Sequence, residues 1–242
     1  LNYVTPVGLM GGEPYRIMEL TPYVGVECAT SSVILYVMMH IFSHFCFWLS
    51  SVLIYVFFYP VGWGMGIVLG LTTLFCLLLV TLFIKGYRNG MAVACVRLGS
   101  HIPFLKKRAV RFAELHKEKL ETIDSQIALL HQQRKSTFYL ALGLEYTARI
   151  VGCLEVWLIL NVLTTDVSFV GCILIVAFSS LLANLLFFLP MQLGGREGGF
   201  ALAVAGLSLS GAYGVFAALI TRVREMVWIV IGLVLMKIGN RR

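Results

Sequence analysis

Residues 62–84 read GWGMGIVLGLTTLFCLLLVTLFI, which is 23 residues without a charged side chain. As a helix at about 1.5 Å per residue they would reach roughly 34 Å, enough to cross a hydrocarbon core of ~30 Å. The run opens with Gly62, Gly66 and Gly70, a doubled GxxxG whose small residues allow another helix to approach closely. This glycine face predicts helix packing, either within the chain or in a homo-oligomer.

The same reading extends outward. Residues 28–59, 137–162 and 168–189, and a final stretch from about 212 to 236, are further long apolar runs. Of the 242 residues, 59% are hydrophobic and 13% are charged. Mean hydropathy is +0.89. Soluble domains carry roughly 25% charge, and one this apolar would aggregate. The bilayer is therefore the expected solvent. The predicted fold class is all-α, a polytopic helical membrane protein in a single domain, 1–242. Its halves are 1–84 and 136–242, joined by a linker at 85–135. The chain opens at Leu1 inside an already patterned segment, so a trimmed N-terminus with leading helices missing is expected.

Six cysteines show no CxxC or other ligand spacing, and most lie in apolar runs where Cys behaves as a small hydrophobe. His40 and His44 fall on one helix face, but no third ligand lies nearby in sequence. Buried polar packing or a pore-facing position is expected for them, with no metal and no cofactor. No GxxxxGK[ST] occurs, so transport would be passive, ion-coupled or driven by a partner.

The linker 85–135 carries eleven of the nineteen basic residues and four acids. Its net charge of +7 equals that of the whole chain. Phe112, Leu115, Leu120, Ile123, Ile127 and Leu130 recur at helical spacing, predicting an amphipathic helix. A basic loop between membrane spans argues for an anionic leaflet and against nucleic acid as the partner. The positive charge places this loop and the C-terminus on the cytoplasmic side of the cytoplasmic membrane.

Two segments defy the apolar pattern. Residues 1–22 hold Asn2, Pro6, Gly8, Gly11, Gly12, Glu13, Pro14 and Arg16. Residues 184–209 hold Asn184, Pro190, Gly194, Gly195, Arg196, Glu197 and Gly198. In each, Pro is followed seven residues later by Glu, with a Gly-Gly pair between. Broken or re-entrant helices fit, with Pro6 and Pro190 as the breaks. The expected topology gives the two segments opposite directions, which predicts inverted repeats and a substrate site near the midplane.

The chemistry suits an anion. Glycine breaks free backbone N–H groups, and a helix N-terminus carries partial positive charge. Arg16 and Arg196 beside the breaks would together fork a phosphate, while Glu13 and Glu197 would pair the arginines or exchange a proton. The plainer alternative is that these Arg–Glu pairs only hold broken helices in register. Glu145 and Arg149 can pair at i,i+4, and Arg222 and Glu225 at i,i+3, each on its own helix. The alternative is that Glu145, Arg149, Arg222 and Glu225 line the same polar path, with Arg222 the deepest in its span.

The late segment, LPMQLGGREGGFALA followed by a helix with Arg222, resembles the lysylphosphatidylglycerol synthase transmembrane region, also called the flippase-like domain family. Pro190, Gly194, Gly195, Arg196, Glu197 and Gly198 match its Gly-rich stretch. Asn2, Pro6, Gly8, Gly11, Gly12, Glu13, Pro14 and Arg16 are similar to its other signature. The resemblance covers nearly the whole chain and implies lipid handling; the family's soluble aminoacyl-transfer domain is absent from these residues. Three functions follow as expectations. The first is a lipid translocase, not an enzyme, binding an anionic or phosphate-bearing lipid through Asn2, Gly11, Gly12, Glu13, Arg16, Gly194, Gly195, Arg196, Glu197, Arg149 and Arg222. The second is an accessory subunit of a lipid-modifying enzyme or glycosyltransferase. The third is a head-group enzyme, for which Glu13, Glu197, His40 and His44 are the available acid–base groups.

Overall fold

A computed structural model describes residues 12–89, 125, 135–164, 167–186 and 194–239. Asn2, Pro6, Gly11, Pro190 and nearly all of the 85–135 linker lie outside the described residues. Among the described residues there are seven helices and no strand. They are α1 (Gly12–Val24), α2 (Val26–Phe58), α3 (Trp63–Asn89), α4 (Lys135–Leu163), α5 (Phe169–Leu185), α6 (Gly195–Gly206) and α7 (Gly211–Gly239).

Three of these helices are long and apolar enough to cross a membrane: α2, α3 over Trp63–Leu82, and α4 over Phe138–Leu163. On α3, Leu71, Leu74, Leu78 and Leu82 are each more than half exposed. Such a surface suits lipid and not water. The hydroxyls of Thr72 and Thr73 donate back to the carbonyls of Val68 and Leu69, each at 2.8 Å. Polar side chains on a lipid-facing helix are thereby satisfied within the helix itself. With 17 residues, α5 is shorter, and α7, although 29 residues long, carries Arg222, Arg224 and Glu225 near its middle.

The chain divides into two compact units. One comprises Ser50–Val61 and Thr147–Arg242 with residues 1–12; the other comprises Glu13–Leu49 and Gly62–Tyr146.

In the first unit, α4 turns into α5 through a short connection. Trp157 Nε1 and Asn161 Nδ2 both donate to the Val167 carbonyl, at 3.2 and 3.4 Å. Ser168 then caps α5, its hydroxyl accepting the Gly171 N–H at 3.1 Å. The short helix α6 packs on both α5 and α7. Small residues allow this closeness. A Cβ on Gly199 would stand 3.1 Å from the Ser179 Cα, and one on Gly214 would strike the Phe200 carbonyl. Val156, Leu160, Val167, Cys172, Ile175, Phe200, Val204, Ala217 and Ala218 form the buried core that these contacts enclose.

In the second unit, α1 contains Pro22 and ends where Gly25 takes φ +81°, with its N–H still bonded to the Thr21 carbonyl at 3.0 Å. Glycine is suited to that left-handed bend. From there α2 starts afresh and buries Ala29, Ser31, Val33, Met38, Met39, Ser43, Phe45, Phe47 and Trp48.

The two halves of the sequence share a local design. In each, a glycine opens a short helix, α1 at Gly12 with 13 residues or α6 at Gly195 with 12. A residue of positive φ follows, Gly25 at +81° or Ser208 at +65°. A long helix comes next, α2 or α7. The short apolar piece at 194–209, expected from the sequence as a short crossing before the last span, is helical only to Gly206 and, at about 1.5 Å per residue, reaches only ~18 Å, too short to cross.

Candidate functional site: an Arg–Glu cluster where α6 meets α7

The start of α6 sets the geometry. Gly194 is its N-cap, with φ +81°, and donates its N–H to Glu197 Oε2 at 2.8 Å. Glu197 therefore satisfies one of the open donors of its own helix start, in favourable register with the helix dipole. Its other oxygen, Oε1, lies 2.5 Å from Arg222 Nη2 on α7. One residue earlier, Arg196 turns to a different part of α7. It pairs with Glu225 and donates to the Thr221 hydroxyl at 3.3 Å. Thr221 in turn donates to the Ala218 carbonyl at 2.9 Å.

The order of charge on α6, Arg then Glu, thus meets the order Arg222 and Glu225 on α7, so that two ion pairs join the helices. Both are largely buried: side-chain exposure is 21% and 13% for Arg196 and Glu225, and 11% and 18% for Arg222 and Glu197. Lone charges at such positions would be costly, and pairing is what permits them. A third pair, Arg224 with Glu155, ties α7 to α4 at a more exposed position. These three pairs combine three guanidinium groups with three carboxylates, so the cluster carries no net charge.

Arg222 and Glu225 can pair along their own helix, but the structure joins each to α6, and this corrects the purely local expectation. The close approach of α6 at Gly214 sets Arg196 and Glu197 within reach of the opposite charges on α7. Sequence reading named Glu225 as a partner of Arg222 but missed its pairing with Arg196, and it missed Thr221 and the Arg224–Glu155 pair. The available signal was charge balance: every guanidinium deep in an apolar run calls for a carboxylate.

The second unit holds Glu13 and Arg16 on α1. The Arg16 guanidinium lies 4.7 Å from the Tyr36 ring centre, a cation–π contact. From Tyr36 an aromatic stripe follows α2 at every fourth residue through His40, His44 and Trp48. Ring centres along it are 6.1, 5.2 and 5.4 Å apart. His40 Nδ1 lies 3.2 Å from Glu145 Oε2 on α4. Arg149 is half-buried on α4, and its carbonyl accepts from the Cys153 thiol at 3.3 Å. Arg16 and Glu13 belong to one unit and Arg196, Glu197 and Arg222 to the other.

Neither a curated protein nor a solved structure matches this chain at a significant level. One family does, that of the lysylphosphatidylglycerol synthase TM region, over residues 1–233. The match takes in both glycine-broken segments, the spans between them and the α6–α7 cluster. A helical membrane protein with this cluster and this extent of match belongs to the lysylphosphatidylglycerol synthase TM region family.

Proposed function

We propose that this protein is a lipid translocase of the cytoplasmic membrane, moving a phospholipid or polyprenyl-linked lipid between leaflets, and that it is not an enzyme. The observation that carries the reading is the α6–α7 cluster. Two guanidinium groups and a helix N-terminus gather where α6 meets α7, a donor set suited to a phosphate. Membership of a lipid-related membrane family supports it. The shared design of α1–α2 and α6–α7 supports an arrangement in inverted repeats with re-entrant short helices. In that arrangement Glu13 and Arg16 are the counterparts of Glu197 and Arg196. The +7 charge of the 85–135 linker supports a cytoplasmic loop and C-terminus. Acyl tails would stay in lipid while the head group exchanges at the arginines.

Reconstitution tests this. Proteoliposomes holding the protein and a fluorescent phosphatidylglycerol should expose inner-leaflet probe to an external quencher faster than empty vesicles do. Arg196→Ala with Arg222→Ala should slow exchange about tenfold or more, the scale of roughly 1.4 kcal/mol. Unchanged flipping in that double variant would remove the site. A second reading, an accessory subunit or homo-oligomer, is favoured by the α3 glycines: a Cβ on Gly62, Gly64 or Gly70 would meet nothing within 4 Å. Under it, a stable partner would co-purify and the isolated protein would not flip lipid.

A further inference from the structure

We infer that the Glu197 carboxylate is the built-in occupant of the phosphate site, and that an incoming lipid phosphodiester takes the site by displacing it. The inference rests on the translocase reading and deepens it by naming the group with which the substrate competes.

Two donors from different elements converge on this one carboxylate. Gly194 N–H approaches Oε2 at 2.8 Å, and Arg222 Nη2 approaches Oε1 at 2.5 Å. Capping the helix would need only the backbone donor. The guanidinium on the second oxygen completes a two-pronged anion cradle, and the Arg222 side of it is buried. A phosphodiester carries the same single charge and also offers two equivalent oxygens, so it suits the same donors. The neighbouring Arg196, held by Glu225 and Thr221, is one residue away on the same helix and would supply a further fork.

The cradle also has an approach. Gly194 is exposed, and a Cβ added to it would meet no heavy atom within 4 Å. The same holds for Gly198, one turn along α6. Among the described residues nothing crowds the helix at Gly194 and Gly198, while Gly195 and Gly199, on the other face, are packed against Leu186 and Ser179. The helix is tight where it meets α5 and roomy beside the carboxylate. As the phosphodiester arrives, the Glu197 carboxylate swings out and the cluster keeps its charge balance until the carboxylate returns. No bond is made or broken.

The test is equilibrium binding of water-soluble dihexanoyl phosphatidylglycerol to the full chain in detergent, by calorimetry, with inorganic phosphate as a second titrant. Glu197→Gln keeps the shape and the Gly194 hydrogen bond but removes the competing charge. It should bind the short lipid at least tenfold more tightly than wild type, although it loses an ion pair. Glu197→Asp, one methylene too short to span both donors, should also tighten binding and serves if the Gln variant does not fold. If phosphate tightens in parallel, the cradle reads the phosphate group alone. If only the lipid tightens, it reads the phosphodiester with its glycerol; both results support the occupant. Wild-type binding that neither variant improves would overturn the inference and leave the translocase reading standing. Absence of binding in wild type and both variants would overturn the two together.

Discussion

His40 on α2 and Glu145 on α4 meet at 3.2 Å, although 105 positions separate them in the chain. This contact links two of the membrane-length helices through a polar bridge in an apolar setting. Both side chains are partly exposed, so the loss of one partner should cost less than the 3–5 kcal/mol typical of fully buried pairs. Glu145→Ala should lower stability by about 1 kcal/mol, read as a lower melting temperature in detergent. Glu145→Gln, which can still hydrogen-bond the imidazole, should recover much of the loss. Equal melting of the Ala variant and wild type would show that the bridge contributes nothing.

The Arg196–Glu225 pair allows structure to be separated from transport. Arg196→Glu alone sets two carboxylates against each other and should destabilise the protein by roughly 3 kcal/mol or more. Adding Glu225→Arg restores an opposite-charge pair and should recover most of that stability. Lipid exchange should stay low, because the guanidinium then projects from α7 and not beside the glycine-rich helix start. Recovery of exchange together with stability would mean that the pair is only a clamp.

Gly214→Ala tests the closeness of α6 to α7. The added methyl would collide with the Phe200 carbonyl, which is backbone and cannot rotate aside. Overpacking of this kind costs ~1–3 kcal/mol, and here the upper end is expected. The variant should melt earlier and also exchange lipid more slowly, because the same displacement carries Arg222 away from the α6 helix start and spreads the donors of the phosphate site.

Gly25 and Gly152 should respond to alanine in opposite directions, although a Cβ at either meets nothing within 4 Å. Gly25 sits at φ +81°, so Gly25→Ala should destabilise by about 1 kcal/mol through backbone strain alone. Gly152 lies inside α4, so Gly152→Ala should stabilise by roughly 0.5–1 kcal/mol through helix propensity. Thermal melts of the two variants check the sign of each change.

The long apolar helices were legible because lipid imposes one simple rule on length and hydropathy. The run 62–84 became α3, and 137–162 became α4, with ends shifted by a few residues. Of the glycine breaks, Gly194 was legible and stands where the backbone needs positive φ, whereas the bend at Gly25 was not read from the sequence. Partners were harder to read. Nothing local to Arg222 indicates Glu197, and nothing near His40 indicates Glu145. Such pairs arise from helices meeting, and the small residues that govern the approach, such as Gly199 and Gly214, carry no charge that would reveal what they bring together.

The balance of two guanidinium groups against two carboxylates in the pairs that join α6 to α7 has an electrical consequence. A unit charge crossing the membrane field gains or loses roughly 2.3 kcal/mol per 100 mV. If α6 and α7 shift together with these two pairs intact, their four charges cancel, and within the cluster the resting potential does net work only on Arg224, whose partner Glu155 stays on α4. The voltage would act on the cargo as well: an anionic head group would feel the membrane potential, and a zwitterionic one would not.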